Sequence, residues 1–362
     1  MKKIKPIIKI ISFSLILSML LYVLSYMAKP SDLSKPNGHN LGQIKGFYSE
    51  KENTLDLVYL GGSAVFEYYA PLKTWEDYGL VSYDFSAGMI QAELYIMMIK
   101  EILKSQSPEL IVIDARAFQY RDADNIDAIP PEEVSYRYTL TGVPLSVNKI
   151  VFIDQNVGTH INDKKLSYYF DLLKYHDNIV NFNSTNIKMM LGTYKDPYNG
   201  FYFVPKVEKI KQYDFKTDKK KAVSNDTEAI LIDLLNYMDS TGIDYLFTVS
   251  PYAEKKEHKM TFNYVQEIIE KRGYRFIDCN EYTEQMNLVY STDFSDYSHV
   301  NIFGAEKYTD FLNQYILDNY SIPNRKDDAN YSFMNTYLSD WKNDVKKNKA
   351  EITKLIEGKK DE

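Results

Sequence analysis

Two short pieces far apart in the chain carry the residue types that can do chemistry together. Leu60-Gly61-Gly62-Ser63 follows an apolar run directly, and Asp296-Tyr297-Ser298-His299 precedes a helical segment near the C-terminus. A serine hydroxyl is a weak nucleophile until an imidazole takes its proton, and the imidazole works best when a carboxylate fixes its tautomer and orientation. Ser63, His299 and Asp296 supply one of each. Gly61 and Gly62 leave room for the backbone to approach a substrate oxygen, and the Ser63 amide can donate to a developing oxyanion. Gly88, in Ser86-Ala87-Gly88 after the next apolar run, offers a second amide at a matching place. Each piece also has a plainer reading. Gly-Gly-Ser is an ordinary turn, Asp296 can serve only to cap the next helix, and Asp293 is an alternative carboxylate. The three-residue spacing favours Asp296.

The elements that must position these residues are legible as an alternation. Short buried-strand patterns run over Thr54 to Leu60, Val81 to Phe85, Leu110 to Asp114, Tyr245 to Val249 and Arg275 to Asp278. Helical spacing and length appear over Gln91 to Lys104, Ser224 to Thr241 and Glu254 to Arg272. Strands alternating with helices predict a parallel sheet covered on both faces. Ser63 then sits outside the carboxyl end of the first strand, where open α/β sheets bind ligands.

The stretch from about Phe118 to Lys221 breaks this rhythm and reads as a helical and loop insertion, rich in Tyr, Asn and Asp, over the strand ends. The domain itself is placed at residues 52–325, followed by a charged C-terminal helix within 326–362. Residues 31–51 are polar, with Pro36, Gly38 and Gly42, and read as a tether.

Ahead of the tether, Ile10 to Ala28 is an uncharged Leu/Ile/Met-rich run about long enough to cross a hydrocarbon core. Lys2, Lys3, Lys5 and Lys9 precede it, so residues 1–30 read as a single-pass signal anchor in the cell membrane with the C-terminal domain outside. Tyr26 occupies the third position before a cut after Ala28, which argues against signal-peptidase cleavage. The net charge of -7 becomes -11 once the four leading lysines are set aside. So acidic a domain is a poor nucleic-acid binder. Cys279 is the only cysteine, which leaves no intrachain disulfide. The 32 Tyr and 18 Phe fit a protein that lays amphipathic rings along a groove as well as in its core.

Other candidates carry less. Tyr175-His176-Asp177 in the insertion offers a substrate contact, and Thr248-Val249-Ser250-Pro251-Tyr252 ends the fourth strand where it would shape a pocket. No Gly-rich phosphate loop, His-x-x-x-His pair or Cys cluster occurs in the sequence, and neither a metal nor another cofactor is expected.

Gly61-Gly62-Ser63 resembles the first motif of the SGNH (GDSL) hydrolases, and Asp296-x-x-His299 resembles their last, with Gly88 where the second motif has its oxyanion glycine. The closer resemblance is to membrane-anchored extracellular members, such as the D-alanine transfer protein of teichoic acid synthesis and the acetyltransferase partners in alginate export. It covers Leu55 through Asn319. Two departures stand out: Gly62 replaces the usual Asp or Ser, and Ile113-Asp114-Ala115-Arg116 offers no Asn where hydrolytic members place an oxyanion donor. Either two amides suffice or Arg116 contributes.

The resemblance implies a three-layer α/β/α, flavodoxin-like SGNH fold. It implies an O-acyl (acetyl) transferase or esterase acting on a cell-envelope polysaccharide or teichoic-type polymer. A membrane-bound O-acyltransferase would be its partner. The competing reading is an inactive SGNH-like module that holds the polymer within an assembly complex, with aromatic rings stacked on sugars.

Overall fold

In the computed structural model of the chain, which describes residues 4–121, 132–158 and 164–358, the apolar runs pair as five parallel strands. These are β1 (Leu57–Gly61), β2 (Ser82–Ser86), β3 (Leu110–Asp114), β4 (Asp244–Val249) and β5 (Arg275–Asp278). Every residue of β1, β2 and β3 is buried. That is why β3 reads as the unbroken run Leu-Ile-Val-Ile rather than an alternation: a parallel sheet is covered on both faces.

The strand order is β2-β1-β3-β4-β5, a doubly wound order whose chain leaves β1 first toward one edge and then toward the other. β1 is paired on one side with β2 and on the other with β3. The switch point is therefore the crevice outside the carboxyl ends of β1 and β3.

Fifteen α-helices are described. α1 is Ile4–Ala28 and α2 Pro36–Phe47; α3 (Ser63–Phe66) and α4 (Pro71–Tyr78) follow β1, and α5 (Leu94–Ile102) follows β2. After β3 come α6 (Arg116–Arg121), α7 (Glu132–Leu140), α8 (Val147–Asn156), α9 (Leu166–Tyr169), α10 (Leu172–Tyr175), α11 (Ser184–Met190) and α12 (Asn225–Asp239). α13 (Lys256–Lys271), α14 (Ile302–Asn319) and α15 (Leu338–Gly358) complete the set. α4 packs with α14 and α5 with α12, and the right-handed crossover that parallel strands require puts the two pairs on opposite faces.

The insertion is α7 to α11 plus a stretch, 201–224, with neither helix nor strand. Part of that stretch runs along the loop preceding α14, where the Glu208 amide donates to the Phe294 carbonyl at 2.9 Å and the Ile210 amide to that of Tyr290 at 3.0 Å. The charged α15 docks through Trp341, whose ring meets Tyr198, Phe201 and Phe203.

Residues 31–51 are not a tether. Pro36 stands in the first turn of α2, where its missing N–H costs nothing, and Leu41, Ile44 and Phe47 are buried in the domain. Gly42 and Gly46, one turn apart, let the helix lie directly on the 194–196 segment. A Cβ at Gly42 would fall 2.9 Å from Tyr194 Oη and one at Gly46 2.5 Å from Asp196 Cβ. The glycines that look like loop punctuation in the sequence are a packing face.

α1 projects from this body. Its residues Pro6–Ala28 number 23 with a mean hydropathy of 2.4, and it is the one helix among the described residues long and apolar enough to cross a membrane.

Candidate active site

The nucleophile turn is set by a close approach of β1 to β3. A Cβ on Gly61 would lie 2.6 Å from Asp114 Cβ, so only glycine lets the two strand ends meet there. Gly62 then caps α3 and Ser63 is its first residue, whose N–H has no acceptor within the helix. The Gly62 amide and the Arg116 amide, the latter at 3.0 Å, both donate to the Asp114 carboxylate at the end of β3.

The second loop is built around Asp296. An antiparallel bridge between Phe294 and Val300 closes it, and the Ser298 amide donates to Asp296 Oδ1 at 2.7 Å. Both Asp296 oxygens lie 3.0 Å from His299 Nδ1, and His299 Nε2 lies 2.7 Å from Ser63 Oγ.

The plainer readings of these residues do not describe the geometry. Asn301, not Asp296, caps α14, its side chain accepting from the Phe303 amide at 3.0 Å. Asp293 is turned the other way, taking Lys307 Nζ at 2.6 Å and the Val289 amide at 2.8 Å. Asp296 is thus the carboxylate bonded to the histidine.

Ser63 and His299 open onto a cavity of about 230 Å³ whose wall includes Gly62, Gln91, Asp114 and Tyr120. It occupies the switch-point crevice between β1 and β3, where the topology places a ligand site.

Two expected oxyanion contributors stand elsewhere. The Gly88 amide donates to Asn40 Oδ1 of α2 at 2.5 Å. Arg116, wholly buried, is not part of the cavity wall. One guanidinium nitrogen donates to the Ser298 carbonyl at 3.1 Å and another to the Tyr120 hydroxyl, with the Tyr252 ring 4.5 Å away. Tyr68 Oη is also 2.8 Å from the Ser298 carbonyl. Arg116 and Tyr68 therefore hold the residue before His299 and act through it. Gly62 lines the cavity, but its amide is committed to Asp114.

Several residues at the site escape sequence reasoning. Asn40 lies in the stretch read as a tether. Gln91 is 2% exposed, lines the cavity, and has a side-chain amide bonded to no described residue. That amide and the Ser63 N–H are the donors open to a developing oxyanion. The signal for Gln91 was its place three residues after Gly88, a polar side chain in a loop over the strand ends. His176 of the insertion is exposed, its ring paired with Asp177, and lies outside this cavity wall.

The electrostatics suit a base. Burial alone disfavours the imidazolium, yet the Glu67 and Asp296 carboxylates outweigh it and hold the His299 pKa above its ordinary 6.5. Burial acts against the Asp296 carboxylate too, but the His299 hydrogen bond prevails and its pKa is lowered. Burial raises Asp114 to about 6, against the opposing pull of Arg116. It also raises Glu67, which caps the end of α3. Among the described residues no group of three or more His, Cys, Asp or Glu side chains is placed to hold a metal ion. The chain matches no protein-family model and no curated protein.

Three outcomes follow from this geometry. Replacing Arg116 by Lys removes the fork that holds the Ser298 carbonyl; the Ser63 labelling rate with a fluorophosphonate should drop roughly ten- to hundred-fold while circular dichroism is unchanged. His299 accepts a proton only when neutral, so a raised pKa means that labelling is lost as pH falls through a value above 6.5. Glu67→Gln removes a carboxylate that favours the imidazolium, and the acid limb of the labelling rate should move to lower pH. An unmoved limb would remove Glu67 from the account.

Proposed function

We propose that the domain beyond α1 is an extracytoplasmic, SGNH-type serine O-acyl (acetyl) transferase or esterase acting on a cell-envelope polysaccharide or teichoic-type polymer. The observation that carries this reading is the unbroken hydrogen-bond chain from Ser63 Oγ through His299 to Asp296, opening on a cavity at the switch point. The motif resemblance of Gly61-Gly62-Ser63 and Asp296-x-x-His299 supports it, as does the strand order.

Ser63 Oγ attacks the acyl carbonyl carbon while His299 Nε2 takes its proton and Asp296 stabilises the imidazolium. The tetrahedral oxyanion faces the Ser63 amide and the Gln91 side chain, a preorganised donor being worth roughly 3 kcal/mol. Collapse breaks the bond to the leaving alkoxide, which receives the proton from His299, and leaves an ester on Ser63. A sugar hydroxyl or water, deprotonated by His299, then attacks that ester and releases the serine.

Membrane proximity supports a donor or acceptor attached to the envelope. Asn40, which touches the Gly88 loop, lies twelve residues beyond Ala28. Eight extended residues and one turn of α2 span at most about 35 Å. With α1 anchored and its leading lysines cytoplasmic, the site faces outward within reach of a membrane-bound O-acyltransferase partner that would pass the acyl group across.

The engagement of the Gly88 amide by Asn40 favours a second reading, an idle module that holds the polymer. One experiment separates the two. An active-site fluorophosphonate should label the full-length wild-type chain in detergent and fail on Ser63→Ala; labelling equal in both, or absent from both, supports the binding module instead.

A further inference from the structure

The end of α1 is gripped by the insertion. α1 packs against α10, the 3₁₀ turn His176–Asn181 and α11. Carbonyls at and just past its C-terminal end, where the helical ladder runs out of donors, are taken by two asparagine side chains. Asn186 Nδ2 donates to the Tyr26 carbonyl at 2.9 Å, and Asn178 Nδ2 to those of Ala28 and Lys29 at 3.1 and 3.0 Å. Lys29 adds a buried ion pair to Asp171. The insertion and the helix end are thereby joined as one piece.

The length of free helix fixes where that piece sits. Along α1, residues from Pro6 to Tyr22 are exposed and burial begins at Val23. Beyond Lys9, the last of the leading lysines, Ile10 to Tyr22 are thirteen residues that rise about 20 Å, whereas a hydrocarbon core is about 30 Å thick. The helix is about two turns short of crossing the core before it meets protein. The shortfall is made up by Val23–Ala28, and the elements packed beside those residues enter the apolar layer with them.

Those same elements and the residues between and flanking them expose Phe170, Leu173, Val180, Phe182, Ile187 and Leu191, with Val180 at 87% and Leu191 at 65%. Six large apolar side chains facing water from about twenty residues of chain exceed what a soluble surface carries singly. An interfacial segment presents just such side chains, with apolar groups reaching about 5–10 Å below the headgroups.

We infer that the insertion around the end of α1 is a membrane collar, its exposed apolar side chains immersed in the outer leaflet of the bilayer. Its occupant is lipid because the elements that carry these side chains pack directly against the end of α1 and accompany the missing turns of apolar thickness. A collar fixes the height and tilt of the domain, so the Ser63 cavity is presented at one distance from the membrane rather than swinging on a tether. The inference rests on α1 spanning a bilayer.

The test uses the full chain in lipid nanodiscs, with single cysteines at Val180, Phe170, Leu17 and Lys271 carrying an environment-sensitive fluorophore. Cys279 is buried and stays unlabelled. Labels at 170 and 180 should be quenched by lipids bearing a doxyl group near the carbonyl as strongly as the Leu17 label, and should resist aqueous iodide. The Lys271 label should show the reverse. If the labels at 170 and 180 follow Lys271 while Leu17 is quenched by lipid, α1 spans and the collar is overturned. If they are shielded from both quenchers, a protein covers the patch and the collar is likewise overturned. A Leu17 label open to iodide would remove the spanning helix and the collar together.

Discussion

Ser63 and His299 are 236 residues apart in sequence, and the 2.7 Å bond between their side chains exists because one short piece of chain is bonded to both of their loops. At the end of β3, the Asp114 carboxylate accepts the amide just before the nucleophile, and two residues later the Arg116 guanidinium donates to the carbonyl just before the base. A buried charge is costly unless its hydrogen bonds are met. Here Asp114 is met by two amides, and Arg116 by a carbonyl, a hydroxyl and the face of Tyr252, with its Nε alone left without a hydrogen-bond partner. Neither side of the triad can shift without leaving one of those charges short of a partner.

The same strand end explains the local charge distribution. Glu67 and Asp296 act on one imidazole, and the buried Arg116 acts both on it and on Asp114. The carboxylates raise the affinity of His299 for the proton it must take from serine, while Arg116 opposes that pull and limits it. Tyr68, reaching the Ser298 and Pro251 carbonyls at 2.8 and 2.7 Å, ties the base loop to the segment after β4. The site is carried by rigid strand ends and their immediate turns.

The sheet was legible because fully buried parallel strands write themselves as short apolar runs, and the five expected strands appear within a few residues of their expected bounds. Ser63, Asp296 and His299 were legible by type and spacing. What sequence could not resolve depends on distant partners. Spacing favours Asp296 over Asp293 without excluding the latter, and it is Lys307, an α14 residue that takes Asp293, that separates them. Gly88 stands where an oxyanion amide was expected, but its amide faces Asn40 from a helix that Pro36, Gly38 and Gly42 had disguised as a tether. Arg116 was read as a contributor to the oxyanion hole because it follows β3; the Ser298 carbonyl, 182 residues away, draws it behind the base instead.

The account comes down to whether the Ser63 oxygen receives an acyl group under the control of His299. The most direct measurement is peptide mapping by mass spectrometry of the full-length chain, acid-quenched after brief exposure to an activated acetyl ester. The account predicts one acetyl group on the Ser63 peptide in the wild type and none there in His299→Ala. Acetylation confined to other residues, or present on Ser63 equally without the histidine, would contradict it.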